Sequence, residues 1–427
     1  GTPPVLYTSE ESVGLRSLTQ SVPFTCWGES RPLAACQVLW AEGRLLLCEA
    51  QALTPRRLSL RIMPEWTVCG YRCGTRRLCV GADDDPFLRL RRQERELCLT
   101  VSMAERECSV TGEAAVPPGQ PVPEDLLLWR LYPQVGSCQL VGNKLLVKGD
   151  VTLSALYRCQ QQKLHTYTAV LPFSQIVESP SGGEEGEVTV CPQLLCGEAR
   201  LLRGEESSGF AVSAELRLLV RITRRETVAC VTDLYSIRCA VQPDTEPVSL
   251  PPAQERPTRQ EAAAHLDFGR QRPFVYVTDV SCAPAAAEDG TPCAAVRMQL
   301  LYLDETEAPA VTERTAQLPL RDGETCTRCG APEVAFTGTG CDLRQAVSVT
   351  PAAGEPVVLT TVTAVQTVPE REEGRRPSLV MRRLAADETL WDAAKQYRTD
   401  EELIRAVNQL TEGEVPDKML LIPRMRP

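Results

Sequence analysis

Internal repetition, combined with a two-residue alternation of apolar and polar side chains, constrains this chain most. Val5-Leu6-Tyr7 leads to Val22-Pro23-Phe24, Ala155-Leu156-Tyr157 to Leu171-Pro172-Phe173, and Leu300-Leu301-Tyr302 to Leu318-Pro319-Leu320. Each copy opens on an apolar pair and a tyrosine, crosses a polar turn of variable length, and closes on apolar-Pro-apolar. Upstream, Gly136-Ser137-Cys138 precedes Tyr157 much as Val280-Ser281-Cys282 precedes Tyr302. The first copy lacks this part, so the sequence is expected to begin inside a repeat, with the native N-terminus further upstream.

The later part of each copy alternates as well. Arg44 to Ala50 and Arg57 to Ile62 belong to the first copy, Val188 to Val190, Glu198 to Leu201 and Ala214 to Ile222 to the second, and Ala346 to Val349 and Val357 to Val362 to the third. Apolar residues alternating with Arg, Glu or Ser put one strand face inward and one outward. The expected fold is therefore mainly β: three repeated β-rich, sandwich-like modules, with helical periodicity confined to a small C-terminal module. Proline-rich stretches at Val116–Pro123, Pro251–Pro257 and Val368–Pro377 set the expected boundaries. These give modules at 1–115, 125–243, 273–368 and 378–427. Ser179 to Glu187 is expected to be a loop inside the second. Glu261-Ala262-Ala263-Ala264-His265-Leu266 predicts a short polar helix, and His165 falls in a strand-like run.

Several function classes lose support on composition. A formal net charge of −10 argues against a nucleic-acid partner, which calls for a basic face. The two histidines, His165 and His265, leave little material for triads or acid–base pairs. The 19 cysteines are odd in number and scattered, and many fall in strand-like runs, where they act as small apolar side chains. This fits a reducing cytosol and leaves room for later oxidative cross-linking. Cys326-Thr327-Arg328-Cys329 is half of a zinc site without a second half. No cofactor or metal is expected, no apolar run is long enough to cross a bilayer, and no signal peptide is evident. P-loop, dinucleotide, nucleophile-elbow and zinc-protease patterns are absent. Asp83-Asp84-Asp85 and Glu184-Glu185 lack EF-hand spacing and read as solvated loops. The basic run Arg89 to Arg95 reads as a charged hairpin turn, with docking of an acidic partner as the alternative.

From Ser378 the pattern changes to strand, helix, helix, strand. Leu379-Val380-Met381 is a short strand, and Asp387-Glu388-Thr389 can cap a helix whose one face carries Leu390, Trp391, Ala394 and Tyr397. Thr399 and Glu402 stand at capping-box spacing before a second helix bearing Leu403, Ile404 and Val407. Lys418 to Pro423 closes the module as a strand. Asp387 to Ala394, Tyr397, Glu402-Leu403, Asn408, Leu410 and Leu421-Ile422-Pro423 resemble a LysM domain. That resemblance implies a groove for N-acetylglucosamine-containing glycan between two loops, formed by Asp387, Glu388, Thr389 and Leu390 on one side and Leu410, Thr411 and Glu412 on the other. Asp387 and Asp417 replace the family's usual glycines. They add negative charge and a side chain where backbone would approach a sugar, so a glycan and a protein ligand both remain open.

Lys144 to Val151, Leu156-Tyr157, Leu171-Pro172-Phe173-Ser174 and Asp233-Leu234-Tyr235-Ser236 resemble the spore-coat-associated SPOCS domain, as does Leu53 to Leu58 in the first copy. SPOCS repeats followed by one LysM domain are similar to the spore-envelope morphogenetic proteins of endospore-forming bacteria. The resemblance implies a protein on the mother-cell, cytoplasmic side of the forespore surface that tethers coat layers, partly by docking on a coat-assembly ATPase. The expected function is a non-enzymatic scaffold whose weak contacts add up along one chain. A LysM-targeted wall-binding protein, or an accessory subunit of a wall enzyme, is the alternative.

Overall fold

The computed structural model describes residues 4–9, 12–20, 23–54, 56–72, 74–82, 85–178, 186–203, 208–250, 257–269, 274–352, 354–368, 378–411 and 419–424. In chain order the elements are β1 (Pro4–Ser9), β2 (Ser12–Thr19), the single turn α1 (Arg31–Ala34), β3 (Val38–Thr54), β4 (Arg57–Tyr71), β5 (Leu88–Ala115), β6 (Pro123–Val141), β7 (Lys144–Cys159), β8 (Leu164–Glu178), β9 (Glu187–Arg203) and β10 (Ser208–Ser236). There follow β11 (Val241–Leu250), β12 (Thr258–Asp267), β13 (Val275–Ala286), β14 (Pro292–Leu303), β15 (Pro309–Pro319), β16 (Thr325–Arg328), β17 (Glu333–Thr337), β18 (Gly340–Thr350), β19 (Val357–Thr367), β20 (Leu379–Arg382), α2 (Leu390–Tyr397), α3 (Glu401–Asn408) and β21 (Leu420–Pro423). The chain is mainly β, as the alternation predicts. It divides into two compact units, one of Gly1–Cys73, Thr100–Arg224 and Gln254–Ala353, the other of Gly74–Leu99, Arg225–Ala253 and Gly354–Pro427.

In the first unit the second and third copies each form a three-stranded antiparallel meander, β6-β7-β8 and β13-β14-β15. β6 turns into β7 through Gly142 and Asn143, with Val141 opposite Lys144 and Gly142 at φ 61°. Such a two-residue hairpin needs the left-handed backbone that glycine adopts without cost. Along β7, Leu145, Val147, Val151, Leu153, Ala155 and Tyr157 point to one face and are at most 1 % exposed. Gly149 interrupts the row because a Cβ there would lie 2.6 Å from the Phe173 ring and against the Gln134 carbonyl. The opposite wall of this sandwich comes from the sheet β5-β10-β9, whose Val110, Phe210, Val212, Leu216, Leu218 and Ile222 share the same core. Phe210 stacks on Tyr167 at 5.5 Å and tilts against Tyr157 at 5.9 Å. Each fully buried large aliphatic or aromatic side chain of this kind contributes about 1.5–3 kcal/mol.

The third copy repeats the design. Its meander packs on β12-β18-β16, with β17 also paired to β18, around Val277, Val296, Met298, Leu300, Leu343 and Val347. β12 lies before residue 273, where the third module was expected to start, yet supplies Ala262 and Leu266 to this core. It also corrects the helix expected at Glu261 to Leu266: those residues are strand, with Ala262 opposite Gln345 and His265 opposite Asp342. Ladder bonds to β18 and the inward alternation of Ala262, Ala264 and Leu266 override the helical propensity of the alanines. Val357 to Val362, expected with the third copy, lie on β19, which pairs with β11 in the second unit.

The repeat leucines converge. Leu6, Leu156 and Leu301, the residues before the repeat tyrosines, meet in one apolar cluster with Leu15, Leu127, Leu128 and Tyr276. Leu156 faces Leu128 across β7 and β6, and Leu301 faces Tyr276 across β14 and β13. One position of the repeat thus builds a hub shared by all three copies, while the adjoining Tyr157 and Tyr302 turn to their own sandwiches. The first copy is less enclosed: the β3-β4 ribbon buries Trp40 but leaves Leu45, Leu46, Leu53, Met63 and Trp66 exposed.

Candidate functional site

The sites expected on the C-terminal module lie in the second unit. β20 and β21 pair antiparallel, with Val380 opposite Ile422, and α2 and α3 stand between them in sequence. Thr389 begins α2 with a reciprocal cap: its hydroxyl accepts from the Asp392 amide at 3.3 Å, and the Asp392 carboxylate accepts from the Thr389 amide at 2.9 Å. The Thr389 hydrogen bonds hold the Asp392 carboxyl below the usual carboxylate range. For α3 the expected Thr399–Glu402 box does not form. Asp400 is the cap, accepting from the Glu402 amide at 3.1 Å, and Thr399 is buried with its hydroxyl unpaired. The physical reason is one of register: the helix starts at Glu401, so the acceptor immediately before it is Asp400. Asn408 ties α3 to β21, donating to the carbonyls of Ile404 at 2.8 Å and Leu421 at 2.7 Å and accepting from the Leu421 amide at 2.8 Å.

The expected binding residues divide by role. Leu390 is buried, and Leu410 packs on the same apolar cluster, so the two expected loops are brought together through their apolar residues. Glu388 is half-buried in an ion pair with Arg382 at 2.5 Å and also accepts from the Ala385 amide at 3.1 Å. Thr389 is exposed but engaged in its cap. The Thr411 carbonyl accepts from Arg405 at 3.1 Å. Asp387 stands exposed on its turn. Glu412 and Asp417 lie outside the described residues.

A second constellation, not foreseen as a site, grips the helix face opposite in purpose to these loops. Asp233, near the end of β10, accepts from the Trp391 indole at 2.8 Å through one carboxylate oxygen and from the Lys395 ammonium at 2.5 Å through the other. Tyr235 lies edge-on to the Trp391 ring at 4.8 Å and donates its hydroxyl to the Thr399 carbonyl at 2.9 Å. Burial, with Asp400 nearby, pushes the Tyr235 phenol well up, so it remains a donor across the physiological range. Arg89 of β5 reaches Asp400 through two nitrogens at 2.7 and 2.9 Å. Asp233 and Tyr235 are the first and third residues of the Asp-Leu-Tyr-Ser step noted in the sequence. That step was legible as a motif, but nothing local linked it to Trp391. Among the described residues there is no group of three or more His, Cys, Asp or Glu able to hold a metal. No described helix is long and apolar enough to cross a membrane.

Residues 124–194, which run from β6 into β9, match the family model described as SipL, SPOCS domain. The chain therefore contains a SPOCS domain, and this supports a sporulation-related role. No curated protein and no solved structure matches the chain significantly.

Proposed function

We propose that this protein is a non-enzymatic spore-envelope adaptor, which tethers coat layers through its β modules and through a LysM-type docking end. The observation that carries this reading is the coexistence, on one chain, of a SPOCS domain at 124–194 and a strand–helix–helix–strand module whose α2 is held by Asp233 and Tyr235. A module fixed at this many points presents its loops in a set orientation, which favours multivalent engagement.

The partner best suited to those loops is a protein, with the coat-assembly ATPase implied by the resemblance as the first candidate. Glu388 and Thr389 are already hydrogen-bonded inside the module, and Leu390 is in its core. A sugar needs free directional donors and acceptors, whereas the exposed carboxylate of Asp387 suits a basic group on a protein surface. Cytoplasmic placement on the mother-cell side follows from the same reading.

The test is a binding assay on the full chain and on a chain lacking residues 378–427, each offered the purified coat-assembly ATPase and, separately, purified peptidoglycan. Retention of the ATPase by the full chain alone supports the adaptor. Retention on peptidoglycan without the ATPase supports the wall-binding alternative, and turnover of peptidoglycan would retire the non-enzymatic reading.

A further inference from the structure

Cys326 opens the Cys-x-x-Cys step that the sequence leaves as half of a metal site, but its side chain meets a thiol from another strand. Cys326 lies on β16, opposite Val349 of β18, and is buried in the third sandwich. Cys282 lies on β13, opposite Val296 of β14, and packs half-buried on the same core. The two strands belong to the two facing sheets. Their approach is fixed independently: Arg328, two residues beyond Cys326, donates to the carbonyl of Val280, two residues before Cys282, at 3.3 Å. The two cysteines thus meet in the same core, where the Cys326 thiol acts on that of Cys282.

We propose that Cys282 and Cys326 form a latent disulfide site, closed by peroxide or a comparable two-electron oxidant, that staples the two sheets of the third sandwich. Cys282 is the more exposed thiol and reacts first. Its thiolate attacks a peroxide oxygen, forming an S–O bond and breaking the O–O bond, and water leaves once the departing hydroxide is protonated. The Cys326 sulfur then attacks the sulfenic sulfur, forming S–S and breaking S–O, and its proton leaves with the hydroxide as a second water. Two thiols and one peroxide thus yield one disulfide and two waters.

The hydrogen bond to Cys326 and burial push the Cys282 thiol up, so little thiolate exists near neutral pH. The pair therefore survives reduced in a cytosol and closes slowly under sustained oxidation, faster as pH rises. Cys138, at the matching place in the second copy, has its thiol raised by burial alone and serves as an internal control.

The experiment exposes the folded full chain to hydrogen peroxide, blocks remaining thiols with an alkylating reagent, and maps non-reduced peptides by mass spectrometry. The expected result is a linked Cys282–Cys326 peptide pair, lighter by about 2 Da than the two reduced peptides together, and a higher melting temperature. Both signals vanish in Cys282→Ala and in Cys326→Ala and persist in Cys138→Ala. Linkage of Cys326 to Cys329, or recovery of Cys282 and Cys326 singly alkylated from folded, peroxide-treated chain, overturns the proposal. Circular dichroism of each variant before oxidation separates loss of the bond from loss of the fold.

Discussion

In the second-copy sandwich, Val147, Val151, Leu153, Phe210, Leu216 and Leu218 have no measurable exposure, and all come from strands that build that sandwich. In the C-terminal module the sealed set is small, Ala393, Ala394, Ile404, Leu420 and Ile422 with Leu390, and the same cluster includes Tyr235 from β10. The sandwich draws its buried core from its own strands. A module of about fifty residues is marginal on burial alone, and this one is completed by polar contacts from neighbouring strands: Asp233 on Trp391 and Lys395, Tyr235 on Thr399, Arg89 on Asp400. Apolar side chains should therefore dominate mutational cost in the sandwich, whereas the module should respond both to its own aromatic ring and to the hydrogen-bonding groups outside it that hold α2 and α3.

The sharpest way to break this contrast is Phe210→Ala, expected to cost about 3–5 kcal/mol by removing a fully buried ring between two tyrosines. Denaturant unfolding followed by hydrogen exchange should show lost protection along β7 and β8. A cost below about 1 kcal/mol would mean the sandwich core is not what stabilises it. Trp391→Ala comes next, at about 2–4 kcal/mol, less than for a sealed aromatic because the indole is only half-buried. Asp233→Ala should cost about 1–3 kcal/mol, since it strands both the indole N–H and the Lys395 ammonium. Its signature is faster amide exchange across α2 with protection of β7 unchanged. Tyr235→Phe keeps the ring contact and removes one hydrogen bond, for about 1 kcal/mol in the same assay.

The smallest effect is a pH dependence. The folded-state pKa of Asp392 is depressed by Thr389, so the carboxylate's contribution is complete above its unfolded value of about 3.9 and is lost as pH falls through the lower folded value. Asp392→Asn should flatten the acid limb of a pH–melting curve slightly, because the group is mostly solvated.

Much of this architecture can be read from local pattern. The alternation in Lys144 to Tyr157 marks a half-buried strand, and burial of Val147, Val151 and Leu153 follows directly from it. Asp387 to Tyr397 marks a capped helix with Leu390 and Ala394 inward. Other features resisted. Glu261 to Leu266 has helical composition and becomes β12 because β18 offers it a ladder. Thr399 has the capping spacing, but the helix begins one residue later than that spacing requires. Of the expected binding residues, Leu390 and Leu410 are core, a role their apolar side chains already suggested, while the ion pair of Glu388 with Arg382 depends on the β20 strand turning back toward α2.

The sequence by itself determined the strand-rich class, the repeat and its tyrosines, and the strand–helix–helix–strand order of the C-terminus, because periodicity and capping act over a few residues. Only the tertiary structure decided which strands share a sheet, that Leu6, Leu156 and Leu301 meet, that Cys326 faces Cys282, and that Asp233 holds Trp391. Those contacts join residues far apart along the chain, and their energies are gained only when distant strands are already in place, so no short window of sequence carries their signature.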